Sequence, residues 1–224
     1  MRIESLPPEA IPEDTSTFWT ALTEKLGPDA LSERFYRANT ERRRAKTLFH
    51  LVSKCAPLTT CLEIGCGAGR ITKELAGAFE QVIAIDSCKE LLGAAPKLDN
   101  VTYSFQDVDY LKPSTTKWVW QDTGLRVAFL SEILEHVRKP QQLVCGCSGV
   151  SDFIVASSPI GESLSDKAFD LAAYDETPEK PEDGSGHIWA WDLEGFASLF
   201  DGLEILRIGM VARFGIALVK CGGE

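Results

Sequence analysis

Glycines alternate in Gly65-Cys66-Gly67-Ala68-Gly69, directly after an apolar run at 60–64 and directly before a helical pattern from Arg70. A turn of this kind lets a ligand approach bare backbone, because no Cβ stands in the way and the chain can bend through conformations that side chains disfavour. An acid, Glu63, stands two residues ahead of the turn. The next apolar run ends in Asp86-Ser87, 21 residues after Gly65. A carboxylate there can accept both hydroxyls of a ribose. A third run ends in Gln106-Asp107, an amide and an acid able to accept from the amino group of an adenine. A fourth ends in Ser131-Glu132-Ile133-Leu134-Glu135-His136, two acids and an imidazole, and another imidazole, His187, follows later. Neutral imidazole near physiological pH suits removal of a proton from a hydroxyl or amine nucleophile. His136 is the first candidate for that base and His187 the reserve.

These residues need a scaffold that gathers strand ends. Short apolar runs alternate with helical patterns, the mark of repeated βα units and a parallel sheet. Strands are expected at 60–64, 81–85, 101–105, 126–131, 152–156, 203–208 and 212–219, and helices at 70–79, 88–95, 141–147 and 192–200. Only Gly209, Met210 and Val211 separate the last two strands, so they must form an antiparallel hairpin. The expected fold is α/β: a doubly wound, mostly parallel seven-stranded sheet. Ahead of it, residues 1–15 read as a loose arm, and residues 17–54 as helical with a break at Gly27-Pro28. Residues 1–56 are thus an arm and helical cap, and residues 57–224 the ligand-binding domain.

The spacing G-x-G-x-G, without the G-x-G-x-x-G of dinucleotide sites, and Glu63 beside it favour S-adenosylmethionine (SAM) over NAD. SAM lacks a pyrophosphate but carries an ammonium and a sulfonium, which acids near the turn would attract. Asp86 alone does not discriminate, because NAD sites share it.

Together the three signals resemble the class I SAM-dependent methyltransferases. The resemblance implies that Glu63, Gly65, Cys66, Gly67 and Gly69 hold the amino-acid part of SAM, Asp86 and Ser87 its ribose, and Gln106 and Asp107 its adenine, with Ser131 and Glu132 facing SAM and acceptor. The fuller pattern E-x-x-E-H is similar to two metal-dependent subgroups, the small-RNA 3′-terminal 2′-O-methyltransferases and the O-methyltransferases of ubiquinone biosynthesis. By that resemblance Glu132, Glu135, His136 and His187 would bind a divalent ion, Mn²⁺, Fe²⁺ or Zn²⁺ in preference to Mg²⁺. The plainer alternative is a Glu-His pair that works without metal, with Glu132 orienting the SAM amino group.

Composition narrows the acceptor. The chain has 224 residues and a formal charge of -10, so a nucleic-acid partner would need a basic patch. The densest cluster, Arg42-Arg43-Arg44 with Lys46, reads more simply as a solvated helix face. The connection 161–186 is long, and from Glu162 to His187 it carries eight acids against two lysines. Loops of that length are lids or surface insertions. Trp19, Phe35, Tyr36, Trp189 and Trp191 could line an acceptor pocket, and Trp118 and Trp120 could belong to a hairpin or an interface. Seven scattered cysteines, no apolar run of membrane length and no signal peptide point to a cytoplasmic chain with reduced thiols. The expected function is methyl transfer from SAM to a hydroxyl, less readily an amine, of a small-molecule or glycan-like acceptor. The alternatives are a metal-assisted RNA 2′-O-methyltransferase and a catalytically silent SAM-binding partner subunit. Oligomeric state is not legible.

Overall fold

The computed structural model describes residues 1–28, 39–53, 58–111, 124–174 and 185–222. A seven-stranded sheet forms its centre, in the spatial order β4-β3-β2-β5-β6-β9-β8. The strands are β2 (Leu58–Ile64), β3 (Gln81–Asp86), β4 (Val101–Phe105), β5 (Leu125–Ser131), β6 (Phe153–Pro159), β8 (Glu204–Val211) and β9 (Phe214–Lys220). Strands β2 to β6 run parallel, and β9 alone is reversed, pairing antiparallel with both β6 and β8. The chain leaves β2 toward β3 and β4, then returns past β2 to β5 and β6. That reversal opens a crevice at the carboxyl ends of β2 and β5, where ligands bind in open α/β sheets.

The central strands are continuous apolar runs because both faces are covered. Leu62, Ile64, Ile83, Ile85, Leu130 and Ile154 pack on one face with Leu143 and Val144 of α5 (Pro140–Ser148) and Phe196 of α6 (Leu193–Ser198). Cys61, Val82, Ala84, Val127, Phe129 and Val155 pack on the other with Leu48 and Leu51 of α2 (Asn39–Val52) and Leu75 of α3 (Arg70–Ala76). The short helix α4 (Lys89–Ala94) and helix α1 (Thr15–Leu26) lie against each other and share Leu22, Cys88 and Leu91 in a third, smaller cluster. At the far edge β8 exposes Ile205, Leu206, Ile208 and Met210.

Several expectations are corrected. The first residues are no loose arm: β1 (Ile3–Ser5) pairs antiparallel with β7 (Trp189–Trp191). All three β1 side chains are exposed, so no apolar pattern announced the strand. The clasp needs Gly195, where an added Cβ would lie 2.3 Å from the Arg2 carbonyl oxygen. The hairpin turns at Ala212-Arg213, not at 209–211, with Val211 opposite Phe214 and Ala212 at φ 55°. Gly209 stays within the strand. Helix α3 stops at Ala76, three residues early, because Gly77 caps it. The break at Gly27 stands as expected, at φ 79°. Arg44 does not belong to a solvated face, being 3% exposed. Trp118, Trp120, Phe35 and Tyr36, and residues 175–184 of the long connection, lie outside the described residues. No described helix is long and apolar enough to cross a membrane.

Candidate active site

The glycine turn caps β2. Gly65, Gly67 and Gly69 stand at φ 78°, 53° and 73°, all in the left-handed region that costs a side chain dearly. The Gly65 and Cys66 amides donate to the Ile85 carbonyl at 2.8 and 3.0 Å, which ties the turn to the neighbouring strand. The Gly67 amide donates to Asp86 Oδ2 at 2.8 Å, and Cys88 N–H donates to Oδ1 at 2.9 Å. A Cβ on Gly67 would meet nothing within 4 Å, so the backbone there faces open space. Burial raises the Asp86 pKa, against hydrogen bonds from the Gly67, Cys88 and Ser87 amides.

Glu63 lies behind this turn, 3% exposed, and accepts a hydrogen bond from Thr72 Oγ1 at 2.6 Å. Burial pushes its pKa up to about 8; the Thr72 bond opposes this, and the Asp86 charge adds to it. The carboxyl thus joins β2 to α3. Gln106 donates from its side chain to Ser104 Oγ at 3.0 Å and from its backbone to the Asp86 carbonyl at 3.0 Å. Asp107 caps a short 3-10 turn (Val108–Tyr110), accepting from the Asp109 amide at 3.0 Å. Asp109, which the sequence did not single out, accepts from Thr15 Oγ1 and from the Arg138 amide, both at 2.8 Å. It thereby joins α1 to the segment after β5.

At the end of β5 the chain bends sharply, with Glu132 at φ 55°. Arg44 reaches into this bend from α2. Its guanidinium donates to Ser131 Oγ and, at 2.9 Å, to Ser157 Oγ. It lies 3.5 Å from Glu132 Oε1 and 5.0 Å above the Phe214 ring. Ser157 Oγ in turn donates to Glu132 Oε1 at 2.9 Å. A buried cation from the helical cap therefore engages Glu132. Only three of the four acids and imidazoles expected to hold a metal come together: Glu135, His136 and His187 place ligand atoms within 4.8 Å of one another.

Each imidazole in that cluster is oriented from behind. His136 Nδ1 donates to the Gly186 carbonyl at 3.0 Å, because a carbonyl can only accept. His187 Nδ1 lies 3.1 Å from Glu162 Oε2. His136 Nε2 stands 3.9 Å from Glu135 Oε1, too far for a hydrogen bond. Glu135 Oε1 is buried with no hydrogen-bond partner, while Ser158 Oγ donates to Oε2 at 3.0 Å. Burial and then the nearby His187 lower the His136 pKa to about 3, against the Gly186 bond, so its ring is neutral. Burial first and the Glu132 charge second raise Glu135. Glu135 with its unpartnered Oε1, His136 and His187, each offering one ligand atom within 4.8 Å of the others, make a donor set that fits a divalent cation such as Mn²⁺, Fe²⁺ or Zn²⁺.

Trp19 of α1 closes the site edge-on to His136, with centroids 5.1 Å apart, and His136 meets His187 at 4.8 Å. Trp189 and Trp191 are held by hydrogen bonds within the fold. Trp191 is 1% exposed and donates to Ser158 Oγ at 3.1 Å; Trp189 donates to the Val137 carbonyl at 2.8 Å. The sequence reading missed Arg44 and Glu162. Arg44 was hidden in a basic run and Glu162 in an acidic one, so neither stood out by type.

Comparisons with known proteins bear on the family and the fold. Residues 62–151 match a family profile described as a methyltransferase domain. A stretch of 88 residues, 39% of the chain, is 34% identical to a ubiquinone biosynthesis O-methyltransferase of Aromatoleum aromaticum and covers 37% of it. Its counterpart in Xanthomonas oryzae pv. oryzae matches over the same length, also at 34% identity, and 36% of it is covered. The match therefore spans little more than a third of these relatives' length. Among solved structures, a SAM-dependent methyltransferase from Anabaena variabilis superposes with TM-score 0.67 at 17% identity, covering 98% of this chain and all of that one. The N-methyltransferase NodS from Bradyrhizobium japonicum, in complex with S-adenosyl-L-homocysteine, gives 0.65 at 16% identity, with 92% and 99% covered. The fold is that of the class I Rossmann-like methyltransferases.

Proposed function

We propose that this chain, which carries a methyltransferase domain at residues 62–151, is an enzyme that binds SAM at the β2 turn and methylates a hydroxyl of a small-molecule acceptor. One observation carries the reading. Three left-handed glycines stand at the switch point of the sheet, with the Gly67 amide on Asp86 and open space above it. Bound there, SAM would supply a methyl carbon already activated by its sulfonium. The chain's own residues do the rest. The turn receives the amino-acid part, Asp86 accepts from the ribose, and Gln106 and Asp107 border the adenine. Trp19 and the His136 ring exclude water from the acceptor side. Transfer would join the acceptor oxygen to the methyl carbon as the carbon–sulfur bond broke, its electron pair passing to sulfur. The hydroxyl proton must leave, and the neutral His136 of the Glu135–His136–His187 cluster is the chain's candidate to take it. Hydroxyl acceptors are favoured by the naming of the relatives as O-methyltransferases.

A metal-assisted form of the reaction has its own support in the unpartnered Glu135 Oε1 beside two oriented imidazoles. Glu135, His136 and His187 would hold the ion, which would lower the pKa of a bound hydroxyl. Glu132 is occupied by Arg44 and stands outside that set.

Calorimetric titration tests the central reading. SAM should bind at micromolar concentration, NAD should not, and Asp86→Ala should abolish SAM binding. Binding of NAD in place of SAM would overturn the assignment. Stripping with a chelator and restoring with a divalent ion then distinguishes the metal-assisted route from the metal-free one.

A further inference from the structure

Glu162 stands three residues past the end of β6, just after Gly161, which is at φ 77°. It points back into the site, 15% exposed, at the start of the acidic connection. His187 lies at that connection's other end. Oε2 of Glu162 meets His187 Nδ1 at 3.1 Å, and Oε1 meets Arg213 Nη1 at 3.1 Å. Arg213 comes from the β8–β9 turn, and its carbonyl accepts from the Ile160 amide at 2.8 Å. The Gly161 amide donates to the Trp191 carbonyl at 2.9 Å. Backbone bonds thus tie the segment that carries Glu162 to Arg213 and to Trp191, and the carboxylate meets side chains from two other segments.

We propose that Glu162 is a positioning residue, fixing His187 as the Nδ1–H tautomer and so leaving the Nε2 lone pair available. An ionised carboxylate can only accept, so the proton of a neutral His187 must sit on Nδ1 and Nε2 must be bare. Gly186 does the same for His136 through its carbonyl. The cluster is therefore preset from two sides, by a backbone acceptor for one ring and a charged acceptor for the other. Arg213 balances the carboxylate, so Glu162 adds no net charge beside Glu135. Such outer partners fix ring orientation and raise ligand basicity at metal sites, and their loss typically costs about 10- to 100-fold in affinity. The role as a metal partner rests on the metal-assisted reading; the role in setting the tautomer does not.

Two readouts on Glu162→Ala, with wild type and Glu162→Gln as references, test this. Long-range ¹⁵N NMR of the imidazoles should show His187 protonated on Nδ1 in wild type and in the Gln variant, whose amide oxygen still accepts, but in mixed tautomers in the Ala variant. Titration with Co²⁺, followed by its visible absorption, should show an affinity about 10- to 100-fold weaker in Ala and within about threefold of wild type in Gln. Glu162→Leu, which keeps the bulk, replaces Ala if that variant does not hold its fold, with the same expected losses. A folded Ala or Leu variant with the wild-type tautomer and unchanged Co²⁺ affinity overturns the proposal. Failure of wild type to bind Co²⁺ sinks the metal-assisted reading alone, and the tautomer comparison then decides the role of Glu162.

Discussion

Glu63 makes the stability of this fold depend on pH in a direction opposite to that of most carboxylates. Its carboxyl is 3% exposed, holds Thr72 Oγ1 at 2.6 Å and has its pKa pushed up to about 8 by burial. In the unfolded chain the same group titrates near 4.5. Folding is thus favoured most fully below pH 4.5, where both states are protonated. The contribution is lost as the pH rises toward 8, because the unfolded chain releases the proton first. At about 1.4 kcal/mol per pH unit, with the approach to each pKa included, the loss between pH 5 and pH 7 is about 2.5 kcal/mol. Glu63→Gln removes the titration but keeps an oxygen to accept from Thr72. Urea unfolding of SAM-free protein at pH 5, 6, 7 and 8 measures the difference. Wild type should lose about 2.5 kcal/mol relative to the variant between pH 5 and pH 7, the contribution of Asp86 being common to both. Parallel stability curves for the two proteins would refute the assignment of a buried, neutral Glu63.

Two further perturbations follow from close contacts. Arg44→Met should cost about 3 kcal/mol, seen as a lower urea midpoint, because it removes a buried guanidinium that meets Ser131, Ser157 and Glu132. An unchanged midpoint would mean that Arg44 is not seated in the bend. Gly195→Ala drives a Cβ to 2.3 Å from the Arg2 carbonyl and should release β1 from β7. The result to look for is faster proteolytic cleavage near the N-terminus with the central sheet's circular dichroism intact; equal cleavage rates would argue against the clasp.

The sheet was legible in the sequence for a physical reason. Strands buried on both faces must be apolar throughout, so β2, β3 and β5 announced themselves, and the glycines and Asp86 followed at their ends. Elements held by backbone alone gave no such signal. The exposed β1 has no apolar face, and the turn at Ala212-Arg213 lacks the glycine that would mark it. The acids and imidazoles of 132–136 and 187 were readable by type and spacing, but not their sorting. Whether Glu132 joins His136 or turns to Arg44 is settled by a helix some ninety residues earlier. Residue type alone could not separate Glu162 from the seven other acids of the same connection.

The exposed edge of the sheet bears on how the protein behaves at high concentration. Strand β8 ends the order of strands with Ile205, Leu206, Ile208 and Met210 exposed, and Arg207 interrupts them as a gatekeeping charge. At neutral pH the net charge of -10 keeps copies apart over a screening length of about 10 Å in 0.1 M salt. That repulsion fades toward the isoelectric point of 4.9 and in concentrated salt. Light scattering should then rise first under acid or salting-out conditions. Dilute salt above pH 7 is the regime in which the edge stays colloidally silent.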